Sequence, residues 1–297
     1  MPPVSTPTPA QRAGLEPGSA LAYVVGLVDD AAAFPPSDLA VVPAVAAHRE
    51  HRAATYGLVL GPFLAPVSRL GDLLDALDAE RTSEPLDLVL VADTGLVEAA
   101  EARAVLLDDD RVELLGLQVA LPADGPLGQA ARLTLDTLDF ALSAAIEVPR
   151  SVGWRDAFDV LAHDGAERAR LRTGGPTASA HPTEAELADL LVEVVRRRLA
   201  FTLAAGQHHA LRNTDPDTGF EQHGFVNVLA ATAAALDGAD ATTLATLLAE
   251  RDGVPLLERL ATADPAAVRR LFTSFGSCSI SDPVADLRGL GMLDEEE

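Results

Sequence analysis

The chain has 297 residues, 48% of them apolar but only 4% aromatic, and a formal net charge of −23. That length and apolar content suffice for one large core or two modest ones, built mainly from Leu, Val and Ala. The 45 acidic residues against 22 basic ones repel a phosphate backbone, which argues against a nucleic-acid partner, and the single Cys278 leaves no intramolecular disulfide or multi-thiolate metal site.

Every basic residue is Arg and none is Lys. A lysine Schiff base is therefore impossible, which removes class I aldolase, transaldolase and pyridoxal phosphate chemistry. Residues 1–19, rich in Pro, Ser and Thr, read as a flexible tail without a secretory-leader pattern, and residues 294–297 as an acidic tail. No run approaches about 18 consecutive apolar residues, so no membrane span is expected, and the lone thiol suits a cytoplasmic location.

Short apolar runs alternate with helix-period segments. LAYVVGLV (21–28) reads as a first buried strand, followed by a helix near Ser37–Arg52. YGLVLGPFLA (56–65) precedes SRLGDLLDAL (68–77), whose Leu70, Leu73, Leu74 and Leu77 share a helical face. LDLVLVAD (86–93), VELLGLQVAL (112–121) and FALSAAIEV (140–148) follow as strands, each leading into an amphipathic segment. ARLRTG (169–174) precedes a helix at Thr183–Arg197 that opens with a Thr183/Glu186 capping box, and AFTLAAG (200–206) is a seventh strand. After it come a long loop, a helix at Phe225–Leu236 and further helical pieces through Arg270. LFTSFG (271–276) is the candidate eighth strand, and Asp282–Pro283 is expected to open a final helix as N-cap and N1.

Continuous apolar strands joined through amphipathic helices indicate parallel strands covered on both faces. Seven such units without a composition break predict a single (β/α)8 TIM-like barrel over residues 20–293, with extra helices between strands seven and eight. A doubly wound sheet is the competitor, but no G-x-G-x-x-G turn follows the first strand.

Barrel chemistry sits at the C-terminal ends of the strands. Those positions hold Asp29, Asp30, Pro62, Pro66, Asp93, Gln118, Glu147 and Arg150, then Arg172–Gly175, Gln207–His209 and Ser277–Ser279. The expected catalytic groups are His208, His209, Asp29, Asp93, Glu147 and Cys278. In RLRTGG, Arg172 offers a guanidinium fork for a carboxylate or phosphate, Thr173 a hydroxyl, and Gly174 and Gly175 a close backbone approach; the competing reading is a tight turn with Arg172 paired to a barrel carboxylate. Ser277 and Ser279 extend the anion-binding set, since barrels commonly hold phosphate near the last strands.

The segment FTLAAGQHHALRNTDPDTGFEQHGF (201–225) holds three of the seven His residues. Neighbouring side chains of an extended segment point opposite ways, so one of His208 and His209 is expected to enter the mouth, beside an acid that raises its pKa. His223 is expected near the start of the next helix and outside any ligand set. His48 and His51 are expected to be solvated, and His163 and His181 incidental.

DDAAAFPP after the first strand, HREHR in the next helix, RLRTGG, AGQHHALR…HGFVNVL and SFGSCS resemble motifs of an uncharacterised bacterial family of (β/α)-barrel-like proteins. The resemblance spans about residues 22–293 and implies that Asp29, Arg172, Gly174, Gly175, His208, His209 and Cys278 occupy motif positions. This chain departs from the family at Asp30 and the alanines after it, where an aromatic and a Gly are expected. The resemblance implies no particular activity.

The residues together suggest an enzyme acting on a small anionic metabolite by proton transfer, in the manner of a lyase, isomerase or lysine-free aldolase. A metal-dependent hydrolase or lyase with His and carboxylate ligands is the alternative, and a non-catalytic binding or assembly barrel the third reading. No cofactor is required by the sequence, a divalent cation fits the alternative, and a homo-oligomer is left open.

Overall fold

The computed structural model describes residues 19–138, 143–164 and 168–294. Eight parallel strands close into a barrel: β1 (Val28–Asp30), β2 (Leu60–Pro66), β3 (Leu86–Val91), β4 (Val112–Ala120), β5 (Ala144–Glu147), β6 (Arg168–Arg172), β7 (Phe201–Ala204) and β10 (Phe272–Ser277). Sequence neighbours pair from β1 through β7, and β10 sits between β7 and β1. Closure is set by Val28 opposite Phe275 and Asp30 opposite Ser277. The two tails lie outside the described residues, apart from Ser19 and Asp294, and so does the start of the expected fifth strand at 140–142.

Helices α1 (Val41–Ala53), α2 (Leu70–Ala79), α3 (Leu96–Leu107), α4 (Leu127–Thr137), α5 (Trp154–Asp164) and α6 (Glu184–Arg197) follow strands β1 to β6 in turn. The Thr183/Glu186 capping box is present at α6, with both reciprocal hydrogen bonds made. Between β7 and β10 lie a two-stranded hairpin, β8 (Asn213–Thr214) with β9 (Glu221–Gln222), and helices α7 (Phe225–Leu236), α8 (Ala241–Ala249), α9 (Gly253–Ala261) and α10 (Pro265–Leu271). Helix α7 is apolar around its circumference because α6, α8, α9 and α10 all pack against it. Its one amide, Asn227, is fully buried and accepts from Arg212 N–H while donating to the carbonyls of Leu247 and Glu250 at the end of α8.

Two expectations need correction. LAYVVGLV is not a strand: Ala20–Tyr23 forms a 3-10 turn, Gly26 takes a left-handed φ of 57°, and pairing begins only at Val28. These apolar residues bend across the N-terminal end of the barrel, where the buried Arg269 of α10 donates to the carbonyls of Val25, Gly26 and Phe272. A buried run without periodicity fits either role, and the glycine selects the bend. The final helix, α11 (Ser281–Gly289), starts before Asp282, so Asp282 lies in its first turn and Ile280 is the N-cap without a side-chain cap bond. No helix among the described residues is long and apolar enough to cross a membrane.

Candidate active site

Strand β6 reads Arg-Ala-Arg-Leu-Arg, and strand alternation puts its three arginines on one face. That face is the barrel interior. Arg170 Nη1 and Arg172 Nε both donate to Glu147 of β5, the latter at 2.6 Å, with Arg172 Nη2 completing a two-pronged contact at 3.1 Å. Ala169 and Leu171 point the other way into the apolar layer under the helices. Arg168, at the lower end, donates to Ser143 Oγ at 2.9 Å.

Asp29 of β1 faces the same interior. It is buried, accepts from Ser274 Oγ at 2.7 Å, and Ser274 lies beside Thr202 of β7, which in turn pairs with Arg170. Burial pushes the Asp29 carboxyl up to about 7, against the lowering effects of the Ser274 bond and the positive charges of Arg168, Arg269 and Arg170. Arg172 pairs with Ala204, and Gly276 pairs with Asp29. Since Phe275 pairs with Leu203, Gly276 falls beside Ala204, and only these two small residues separate Arg172 from Asp29 along the inner wall.

Three loops meet above that wall. His208, after β7, is half-buried, with Nδ1 3.4 Å from Ser277 Oγ and 3.9 Å from Cys278 Sγ after β10. The backbone of Ser37, after β1, lies near the same sulfur and acts to lower its pKa. Burial lowers the His208 pKa more than Asp282 restores it, and burial raises the Cys278 thiol pKa. The resting pair is thus a neutral imidazole and a neutral thiol. The loop after β1 is held by Arg69, which donates to the carbonyls of Ala33 and Leu39 and pairs with Asp38.

The two adjacent histidines diverge, as alternation predicts. His209 leaves the mouth and bonds Asp286 of α11 at 3.1 Å. The expected rise in the pKa of the inward histidine is overturned: among the described residues no carboxylate pairs with His208, and desolvation outweighs the raising effects of Asp282 and Asp215. His223 lies just before α7, fully buried, its two ring nitrogens on Pro182 O at 2.8 Å and on the Arg212 guanidinium at 3.2 Å. Burial and the Arg212 charge lower its pKa to about 4. Among the described residues, no three His, Cys, Asp or Glu side chains converge as a metal-ligating group.

Other expected site residues have local duties. Asp93 is exposed and accepts from the backbone and hydroxyl of Ser68, tying the ends of β2 and β3 together. Arg150 binds Ser179 O and Glu186, bracing the start of α6. Thr173 is buried, donating to Ala205 O at 2.8 Å and accepting from Gln207 Nε2. Arg172 stands at the mouth paired with Glu147, as the competing reading from sequence had it. His48 is buried rather than solvated, its Nδ1 3.0 Å from Asp30, which faces outward from β1.

Gly174 and Gly175 each allow a close approach within the protein. A Cβ on Gly174 would come within 2.7 Å of Gly206 Cα and 2.8 Å of its nitrogen, and one on Gly175 within 2.9 Å of Ala180 Cβ. Backbone contacts of that kind cannot relax by a rotamer change. Gly174→Ala is therefore expected to cost about 1–3 kcal/mol of stability by chemical denaturation; a loss within error of zero would show that the two loops separate freely.

No protein-family model matches the chain, and neither the curated proteins nor the solved structures contain a match. The residues that sequence reading missed are Arg168, Arg170, Thr202 and Ser274. Alternation in RARLR was a visible signal for the arginines; Thr202 and Ser274 had none, since their partners lie 72 and 245 residues away along the chain.

Proposed function

We propose that the protein is an enzyme acting on a small anionic metabolite, bound at the C-terminal mouth of the barrel and processed by proton transfer. The observation that carries this reading is the sign of the barrel interior. Arg168, Arg170 and Arg172 face it against Glu147 and Asp29, which leaves one positive charge unmatched, or two when Asp29 holds a proton. The whole chain carries −23. Concentrating cations inside so acidic a protein costs desolvation energy, and a functional site is where such an expense persists.

Arg172 keeps part of its guanidinium toward solvent and is the group that receives the anion. Asp29, with its pKa near neutrality, and His208, neutral and half-buried, are the candidate proton carriers. This fits a lyase- or isomerase-type reaction. The metal-dependent alternative is less supported, because His208 and His209 point apart and both nitrogens of His223 are engaged.

The test is calorimetric titration of the protein with a panel of small carboxylates and phosphorylated acids. Arg172→Leu should weaken the best of them about 10–100-fold while the chain still folds, because Arg170 continues to pair Glu147. Unchanged affinity in the variant, or no anion bound by the native protein, would remove the reading.

A further inference from the structure

The geometry points to Cys278 as a covalent nucleophile, with His208 as its proton acceptor and the carbonyl carbon of a small oxo acid as its target. The oxo-acid part rests on the anion-holding mouth proposed above. Three features of the loops after β1, β7 and β10 support it. First, His208 Nδ1 lies within reach of two hydroxyl- or thiol-bearing side chains, but only one of them has a proton to give. The Ser277 hydroxyl hydrogen is committed to Ser279 O at 2.6 Å, so the proton available to Nδ1, 3.9 Å away, is that of the Cys278 thiol. Second, the Ser37 backbone near the sulfur acts to lower the thiol pKa, which favours negative charge developing there. Third, Gln207, one residue before His208, is fully buried, and its Oε1 has no hydrogen-bond partner among the described residues.

In the step itself, a sulfur lone pair bonds the carbonyl carbon as the S–H proton passes to His208 Nδ1. The C=O π pair moves onto oxygen, which takes the proton back from the imidazolium. The product is a hemithioacetal or hemithioketal; nothing is oxidised or reduced, and no group leaves. The tautomer required carries its hydrogen on Nε2. The lowered basicity of His208 keeps the ring free of a proton at neutral pH, as the step demands. Cys278 follows Gly276 by two residues, and Gly276 is two strands from Arg172 across Ala204, about 10 Å at ordinary strand spacing. An arginine reaching inward from one side and a thiol from the other suit a ligand of a few carbons with a carboxylate at one end.

Alkylation of the full chain at pH 7, followed by intact mass, tests this with two probes of different charge. Iodoacetamide and iodoacetate each form an S–C bond and release iodide, while the thiol proton leaves through His208. His208→Ala and His208→Asn, both checked for folding by circular dichroism, should slow both reagents about 100-fold. Arg172→Leu should slow only iodoacetate, about tenfold. Glyoxylate, a small oxo acid, should protect the thiol in the native protein. Rates independent of His208, or no protection by glyoxylate, overturn the inference. A His208-independent rate with the Arg172 effect intact would leave the anion site standing. A His208-dependent rate without an Arg172 effect would support the nucleophile and remove the anion-holding reading.

Discussion

Glu147→Ala is expected to lose about 3–5 kcal/mol of folding stability, the largest effect of any single substitution at the mouth. Among the described residues Glu147 alone pairs with both Arg170 and Arg172, and Arg170 is largely withdrawn from water. Removing the carboxylate leaves a largely buried guanidinium facing a second one, with little solvent and only the more distant Asp29 as counter-charge. Arg170 cannot shed its charge as a lysine might, since a guanidinium stays protonated. Arg172 is better placed, because part of its side chain already reaches solvent. The Glu147→Ala/Arg170→Met double variant should therefore recover at least half of the loss, as apolar replacements of buried ion pairs commonly do. Urea denaturation of the two variants decides it. A single-variant loss below about 1 kcal/mol would mean that Arg170 finds another partner and that Glu147 is not the neutralising group.

Asp29→Asn is expected to change how stability depends on pH more than it changes stability at any one pH. The folded Asp29 carboxyl titrates at about 7 against an ordinary value of 3.8, so between those values the native state holds a proton that the unfolded chain has released. Stability from this group is present below pH 4 and is lost as pH rises through 7, by about 4 kcal/mol in all. His223 acts in the opposite sense. Its folded pKa of about 4 lies below the ordinary 6.5, so its contribution is present above pH 6.5 and is lost as pH falls through 4, by about 3 kcal/mol. Between pH 4 and 6.5 the two slopes largely cancel, and the native protein should show a shallow profile from these groups. In Asp29→Asn the His223 slope stands alone. Relative to the native chain, the variant should gain about 4 kcal/mol between pH 4 and 8. Parallel profiles for the two proteins would show that Asp29 is ionised throughout and that burial does not govern it.

Much of the architecture was legible in the chain because the hydrophobic pattern of a parallel barrel is local. Each of β2 to β4 is an apolar run of six to nine residues. Helix α6 announces itself through Thr183 and Glu186, and α7 spans the residues expected of it. The divergence of His208 and His209 matches what alternation of neighbours suggested, although both lie in the loop after β7 and not in the strand. The same alternation in RARLR placed three arginines on one face without saying which face.

That choice belongs to the tertiary structure. Arginines face the interior because Glu147 and Asp29, 25 and 141 residues away from Arg172 and Arg170, face it too, and no pattern within β6 encodes those partners. LAYVVGLV looked like a strand because apolar content does not distinguish a strand from a bend across the floor of the barrel; Gly26 and the reach of Arg269 to its carbonyl do. The basicity of His208 also depended on closure. Its loop meets that of Cys278 only because β10 inserts between β7 and β1, and the burial that results lowers a pKa which local sequence suggested would rise. Periodicity fixes which side chains share a face; desolvation and charge pairing, which depend on strands far apart in the chain, decide what that face can do.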